Sequence, residues 1–175
     1  MTAGRPERIA RAGFTLVELM IVLVVLAIIA AVVLPNIGSS ADTQVTSAAR
    51  VVAGDLELAR SMALTTQRPH ALVFRLDRAA YKVVANYLGE PYNSVDAVTH
   101  PVKSGEDLEV VLADLGGMGK VVVTDVDFGG DSYVTFSAEG EPSSGGSVTI
   151  AAGASEAVVS VEALTGAVSV ARTGG

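Results

Sequence analysis

The stretch GFTLVELMIVLVVLAIIAAVVLP, at residues 13–35, decides how the whole chain is read. From 19 to 34 it is unbroken apolar sequence, and Glu18 is the one charge between Phe14 and Pro35. A helix over 14–34 is roughly 31 Å long at about 1.5 Å per residue, close to one bilayer hydrocarbon core. Arg5, Arg8 and Arg11 precede it against a single Glu7, and this excess of cations predicts a cytoplasmic N-terminus. The stretch therefore reads as a membrane helix. An acid inside such a helix costs on the order of 2–3 kcal/mol at the bilayer centre and less near an end, so Glu18 calls for a cationic partner. Cleavage after Gly13 would supply one. The new α-ammonium on Phe14 would stand four residues from the carboxylate, at the same membrane edge, within one chain or between neighbouring helices.

Outward from this stretch, residues 1–13 read as a leader. An ordinary secretory signal has a charge-free apolar region of roughly 7–15 residues that ends at a small-x-small site; this run is longer, and Glu18 opens it. An uncleaved signal anchor fits the length and flanks equally well. Pro35 removes a backbone donor and its ring collides with the carbonyl of Ala31, which predicts a kink. Helical spacing resumes over 35–67. Val45, Ala48, Ala49, Val52, Leu56, Ala59 and Ala63 recur at three- and four-residue steps, the mark of an amphipathic helix that packs on a domain. Gly54 is a weak point in it, by about 1 kcal/mol relative to alanine.

Residues 68–175 carry a strand pattern. HALVFRLD (70–77) and AYKVVANY (80–87) read as a hairpin through Arg78-Ala79, and 88–107, with its prolines and glycines, reads as a long loop. Further strands are expected at 108–112, 120–126, 132–137, 147–151, 157–162 and 167–172, with sheets covered on one face. The class is α+β: a long N-terminal helix packed on antiparallel sheets.

Composition narrows the chemistry. The chain has 175 residues and a formal net charge of −7; three Arg and one Glu in 1–13 contribute +2, which leaves −9 beyond them. Such an acidic domain argues against nucleic-acid binding, which needs Lys and Arg to neutralise phosphate. No cysteine occurs, which excludes disulfides, thiolate metal sites and cysteine nucleophiles. No G-x-S-x-G, H-E-x-x-H or phosphate loop is present, and Gly116-Gly117-Met118-Gly119 opens a strand where a nucleotide site needs a helix. Ser143-Ser144 and two histidines assemble no triad from sequence, so the chain reads as non-catalytic and without a cofactor. Asp125, Asp127 and Asp131 in TDVDFGGD form a calcium candidate, because calcium takes clustered oxygen ligands. The spacing departs from an EF-hand, and a solvated acidic turn is the competing reading. His70 and His100 read as surface or edge residues, and Arg50, Arg60 and Arg68 as solvated helix surface and not a DNA-binding stripe.

Gly13-Phe14-Thr15-Leu16-Val17-Glu18, the apolar run and Pro35 together resemble the class III signal of type IV pilins and type II secretion pseudopilins. The helix end LARSMALTTQRP, the hairpin HALVFRLD…AYKVV and the distal VTFSAEGEPSSGGSVTIA…AVVSVEALTGAVSV resemble the GspH/FimT family of minor pseudopilins and minor pilins. The resemblance implies a pilin-like fold, cleavage between Gly13 and Phe14 by prepilin peptidase, N-methylation of Phe14, and an assembly role for Glu18 against a neighbour's amine. It also implies a minor pseudopilin of a type II secretion pseudopilus, at or near its tip. Its partners would be major and minor pseudopilins, the inner-membrane secretion platform and secreted substrates. The precursor would sit in the inner membrane with a periplasmic globular domain. Phe136…Gly140 and Thr165-Gly166 match the family's distal strand and turn, while Ala167 stands where many members carry arginine. A type IV pilus minor pilin serving adhesion, motility or DNA uptake is the alternative, and a membrane-anchored β-domain interaction module is another. Intact-mass measurement on protein from its native membrane is expected to show a chain beginning at Phe14 with one added methyl group; a chain still beginning at Met1 refutes the processing signal.

Overall fold

Helix α1 (Leu16–Val33) begins where Thr15 can cap it. The Thr15 hydroxyl accepts the Glu18 N–H at 3.2 Å and the Thr15 carbonyl accepts the Leu19 N–H at 3.2 Å, which satisfies donors that a helix start leaves open. The computed structural model describes residues 15–33, 40–103 and 105–173, in two compact units, Met1–Gly38 and Ser39–Gly175. Every large apolar side chain described on α1, from Leu16 to Ile29, is exposed. A helix that is apolar all round needs lipid or other helices around it. Among the described residues no helix is long and apolar enough to cross a membrane. The 18 residues of α1 reach about 27 Å against roughly 30 Å of hydrocarbon. The expected span also needs Phe14 and Leu34, which lie outside the described residues, as do Gly13 and the expected kink at Pro35.

In the second unit, helix α2 (Ser40–Thr66) turns its periodic stripe inward. Val45, Ala48, Ala49, Val52, Leu56, Ala59 and Ala63 are all at most 2% exposed. Four of these seven are alanines, so the helix axis can lie close to the strands. α2 ends without glycine. Thr65 and Thr66 donate to the carbonyls of Ser61 and Met62, and Gln67 takes the left-handed conformation at φ +54°. The Arg68 N–H then closes onto the Ala63 carbonyl at 3.3 Å, the pattern of a left-handed helix cap.

Eight strands make two antiparallel sheets. The first has the order β3-β2-β1-β5, from β1 (His70–Arg75), β2 (Ala80–Ala85), β3 (Glu109–Val111) and β5 (Tyr133–Phe136). The second has the order β4-β6-β7-β8, from β4 (Val122–Asp127), β6 (Gly146–Ala152), β7 (Ser155–Val161) and β8 (Val168–Thr173). α2 packs on β1, β6, β7 and β8, so one helix covers both sheets. Tyr81, Phe128, Phe136, Leu56, Leu72, Leu112 and Ile150 are the largest fully buried side chains.

The hairpin forms as the sequence predicts, with Ala79 at φ +47° closing a short 3-10 turn at Leu76–Arg78. The stretch 88–107 is largely loop, with a 3-10 turn at Tyr92–Ser94 and one bridge between Thr99 and Asp107. Part of it folds over the outer face of the first sheet, where Tyr87, Tyr92 and Val95 pack on Ala71, Val73 and Val84. β1 is thus covered on both faces. This corrects the reading of His70 as a surface or edge residue: it is 3% exposed, between Ala85 of β2 and Phe136 of β5. The physical reason is the return of β5 to pair with β1, a contact some 65 residues apart in sequence.

Gly54 lies on the exposed side of α2, and a Cβ added there meets nothing within 4 Å. Gly54→Ala is expected to stabilise the domain by about 0.5–1 kcal/mol, through helix propensity and a less disordered unfolded chain. Thermal unfolding would show this as a midpoint raised by a few degrees, and an unchanged or lower midpoint contradicts it.

Candidate functional site

Two places concentrate the chain's special residues: the start of α1 and the seam where α2 meets the distal turns. At the first, Thr15 and Glu18 occupy the cap and third helical positions, the order T-x-x-E of a capping box. That signal stood in the sequence and is independent of any assembly role. Glu18 itself is exposed at the positive end of the helix. Gly13 and Phe14, the expected cleavage and methylation positions, lie outside the described residues.

The second place is built from residues far apart in the chain. β5 ends at the buried Phe136, and a tight turn follows. The Ser137 N–H donates to the Glu141 carbonyl at 2.8 Å and the Gly140 N–H to the Ser137 carbonyl at 2.9 Å. Gly140 sits at φ +82°, where an added Cβ would come within 3.1 Å of Leu64 on α2. Its carbonyl accepts Nε of Arg60 at 3.0 Å. The β7–β8 turn arrives at the same spot. Thr165 donates its hydroxyl to Glu162 at 2.8 Å, and Gly166 sits at φ +64°, where an added Cβ would come within 3.2–3.4 Å of the Gly140 carbonyl, Pro142 and Arg60. Two glycine turns and one arginine therefore fasten both sheets to one end of α2. Arg60 is not the freely solvated residue expected from sequence. Arg50 lies ten residues earlier, about 15 Å along the helix, so the three arginines form no continuous stripe.

The other candidate residues are placed as follows. Asp125 and Asp127 lie within β4, which carries a register shift between Val123 and Asp125. Asp131 follows across a turn in which the Gly130 N–H donates to Asp127 Oδ1 at 2.8 Å. The strand expected at 120–126 thus extends to Asp127, and the acidic turn begins after it. Among the described residues no group of three or more His, Cys, Asp or Glu is arranged to hold a metal. His70 Nδ1 lies 2.9 Å from the Arg68 carbonyl, and His100 Nδ1 accepts the N–H groups of Val102 and Lys103. The Ser143 hydroxyl accepts the Thr135 N–H at 3.2 Å, a structural contact along the edge of β5.

One buried and one half-buried polar group escaped the sequence reading because hydrophobic spacing carries no sign of them. Lys82, 7% exposed on β2, donates to the Val95 carbonyl at 2.8 Å with its ammonium 4.3 Å from the Tyr92 ring centre. It ties the 88–107 loop to the first sheet. Asp55, on the flank of α2, accepts the Tyr81 hydroxyl at 2.6 Å. Burial pushes the Asp55 carboxyl up, against the lowering effects of that hydrogen bond and of His100.

A long helix packed on two antiparallel sheets, preceded in the sequence by an apolar helix, is the pilin-like fold. The sequence model of the family described as Type II transport protein GspH matches residues 48–166, and that of the Prokaryotic N-terminal methylation motif matches residues 8–34. The first match covers well over half of the chain: it belongs to the GspH family. Solved structures agree on the fold. The minor pseudopilin EpsH of the Vibrio cholerae Type 2 Secretion System superposes with a TM-score of 0.57 at 10% identity, over 77% of this chain and 97% of that one. A second EpsH structure gives 0.55, also at 10% identity, over 74% and 97%. The Pseudomonas aeruginosa type IV minor pilin FimU gives 0.50 at 15% identity, over 74% and 89%. No curated protein sequence matches the chain. The chain is thus a GspH-family protein with the fold of the minor pseudopilin and minor pilin structures it resembles. The distal signature falls on the seam: Phe136, Gly140, Thr165 and Gly166 are where the two turns close on Arg60.

The raised Asp55 carboxyl has a signed consequence. An acid whose folded value lies above its unfolded value adds stability below the unfolded value of 3.8, and this is lost as pH rises through the folded value. Asp55→Asn keeps an acceptor for Tyr81 and removes the charge. Its stability relative to the native chain is expected to be greatest near neutral pH and to shrink toward acid pH. Urea titrations at several pH values, with a difference independent of pH, would contradict this.

Proposed function

We propose that this chain is a minor pseudopilin at or near the tip of a type II secretion pseudopilus, where it supports filament assembly and protein secretion. The observation that carries the proposal is the exposed, all-round apolar surface of α1 joined to a membership shown by residues 48–166. Before assembly the rod, completed by the apolar residues that flank α1 in the sequence, holds the precursor in the inner membrane with its globular domain in the periplasm. Cleavage after Gly13 by prepilin peptidase frees the Phe14 amine, which is then methylated. Transfer from lipid to a bundle of like helices keeps the apolar surface out of water, so extraction exchanges one burial for another. Glu18 is the residue that such a bundle can test, because a neighbour's N-terminal ammonium satisfies it. Major and minor pseudopilins, the inner-membrane platform and secreted substrates are the partners this role entails, with no nucleic acid, no cofactor and no catalysis.

The FimU likeness shares the fold and keeps a type IV pilus subunit as the second reading. Deleting the gene separates the two. A secretion defect with normal surface pili supports the first reading, and loss of pilus function with normal secretion overturns it. For the mechanism, Glu18→Ala is expected to leave cleavage intact while reducing incorporation into filaments by about tenfold, the scale of losing roughly 1.4 kcal/mol of subunit interaction. Pulldown with the other subunits checks this, and normal incorporation rules out the role given to Glu18.

A further inference from the structure

The two sheets have four edges, and three are blunted. β3 is only three residues long. β4 carries a bulge and two aspartates. Along β5 the Ser143 N–H donates to the Thr135 carbonyl at 2.7 Å, and Phe136 bridges to Pro142. These are the usual devices by which natural sheets avoid unwanted pairing. Among the described residues, β8 has no bulge and no covering segment, and Arg172 is its one charge. It is six residues long, pairs with β7 through its whole length, and no described residue pairs with its outer side.

The register shows which groups that edge offers. The Glu162 N–H donates to the Ala167 carbonyl, and Val161 faces Val168 in the next pair. Antiparallel ladders alternate bonded and non-bonded pairs, so Ser169 and Ala171 bond to β7 while Val168, Val170 and Arg172 turn their N–H and C=O groups outward. The side chains of these same three residues lie on the face that carries Ala157, Val159 and Val161 toward α2. α2 leaves that margin partly bare, and Val170 remains 42% exposed. Beyond it, a concavity of about 230 Å³ is lined by Asp42, Thr43, Thr46, Ser47, Arg50 and Arg172. Arg172 lies 3.7 Å from Asp42, whose other oxygen accepts the Ser155 hydroxyl. Arg50, Arg172 and Asp42 thus give that lining one more cation than anion, on a chain of net charge −7.

We propose that the outer edge of β8 docks an extended segment of another filament subunit, which adds a fifth strand to the second sheet. The segment places small apolar side chains beside Val168 and Val170 and a carboxylate beside Arg172 and Arg50. Main-chain pairing supplies the affinity and the alternating side chains supply the choice of partner. Pairing with the β8 edge of a second copy does not meet the charge requirement, because that strand, VSVART, brings an arginine and no acid. The proposal rests on the filament-subunit reading and names the surface that such a subunit would use.

Amide hydrogen exchange on the full chain tests it, alone in detergent and incorporated with its neighbouring subunits. Exchange at Val168, Val170 and Arg172 is expected to slow by about tenfold or more on incorporation, with little change at Ser169 and Ala171. Val170→Pro deletes one outward donor while leaving the β7 ladder intact, and is expected to lower incorporation by about tenfold in a chain that circular dichroism shows to be folded. Arg50→Glu, on an exposed helix position, is expected to weaken incorporation severalfold without touching the fold, and Arg50→Lys to retain it. Incorporation with unchanged exchange at the three outward amides overturns the β8 proposal and leaves the filament reading standing. Protection that rises with the concentration of the isolated chain assigns the edge to a second copy and overturns it as well. A chain that never associates with other subunits overturns both.

Discussion

The globular unit depends on one constraint: two antiparallel sheets must share a single helix as their cover. Each sheet alone would leave an apolar face in water, and α2 is the element that packs on strands of both. The stripe from Val45 to Ala63 makes this possible because it is both fully apolar and largely small. Burying it at about 25 cal/mol per Å² favours the assembled state, while the alanines remove the side-chain bulk that would hold helix and strands apart. A larger residue at Ala48, Ala49, Ala59 or Ala63, each without exposed surface, would have to displace one sheet or the other. Overpacking of this kind costs typically 1–3 kcal/mol.

Packing alone does not fix where along the helix each sheet sits. Polar contacts at separate points do that. Near its C-terminal end, Arg60 ties α2 to Gly140. In the middle Asp55 meets Tyr81 of β2, and near the start Asp42 meets Ser155 of β7 and Arg172 of β8. Each joins α2 to a different part of the sheets, so a slide of the helix by one turn would break all of them together. Their number matters more than their individual strength, since hydrogen bonds of this kind contribute roughly 0.5–1.5 kcal/mol net. The two distal glycines belong to the same device. At positive φ and against Arg60, Leu64 and Pro142, they let two turns reach a helix where a Cβ would be strained and crowded.

What could be read from sequence follows from the range of each interaction. The stripe on α2 and the strands were legible because burial imposes a period on neighbouring residues. The hairpin through Arg78-Ala79 was legible for the same local reason. The pairing of β1 with β5 was not, and so His70 was misjudged as peripheral. Arg60 and Gly140 are eighty residues apart, and Asp55 and Tyr81 twenty-six; neither pair leaves a trace in spacing. Lys82 is harder still. A lysine in a strand ordinarily signals a solvated face, and only the return of the 88–107 loop, with Tyr92 against its ammonium, makes burial acceptable. In the acidic segment the strand expected at 120–126 was legible, and β4 runs one residue further, through Asp127.

Glu18 shows how a magnitude separates two explanations of one residue. Its place at the third helical position invites a capping account, yet the bond that is formed uses the backbone N–H of residue 18 and the side chain of Thr15. Any residue except proline supplies that N–H, so the cap explains Thr15 and leaves the glutamate unexplained. The helix dipole does favour an acid there, by typically 0.3–1 kcal/mol. A carboxylate in hydrocarbon costs about 2.5–3.5 kcal/mol at the centre of a bilayer and less toward an end. The dipole term therefore covers only part of the cost in most positions within the membrane, and the remainder requires a specific cation. A lysine or arginine on α1 could serve, but Glu18 is the only charged residue between Leu16 and Val33. In the proposed role the cation comes from the processed N-terminus or from another chain, and a residue whose charge is balanced only by a neighbour's helix would make that neighbour a condition of its own burial.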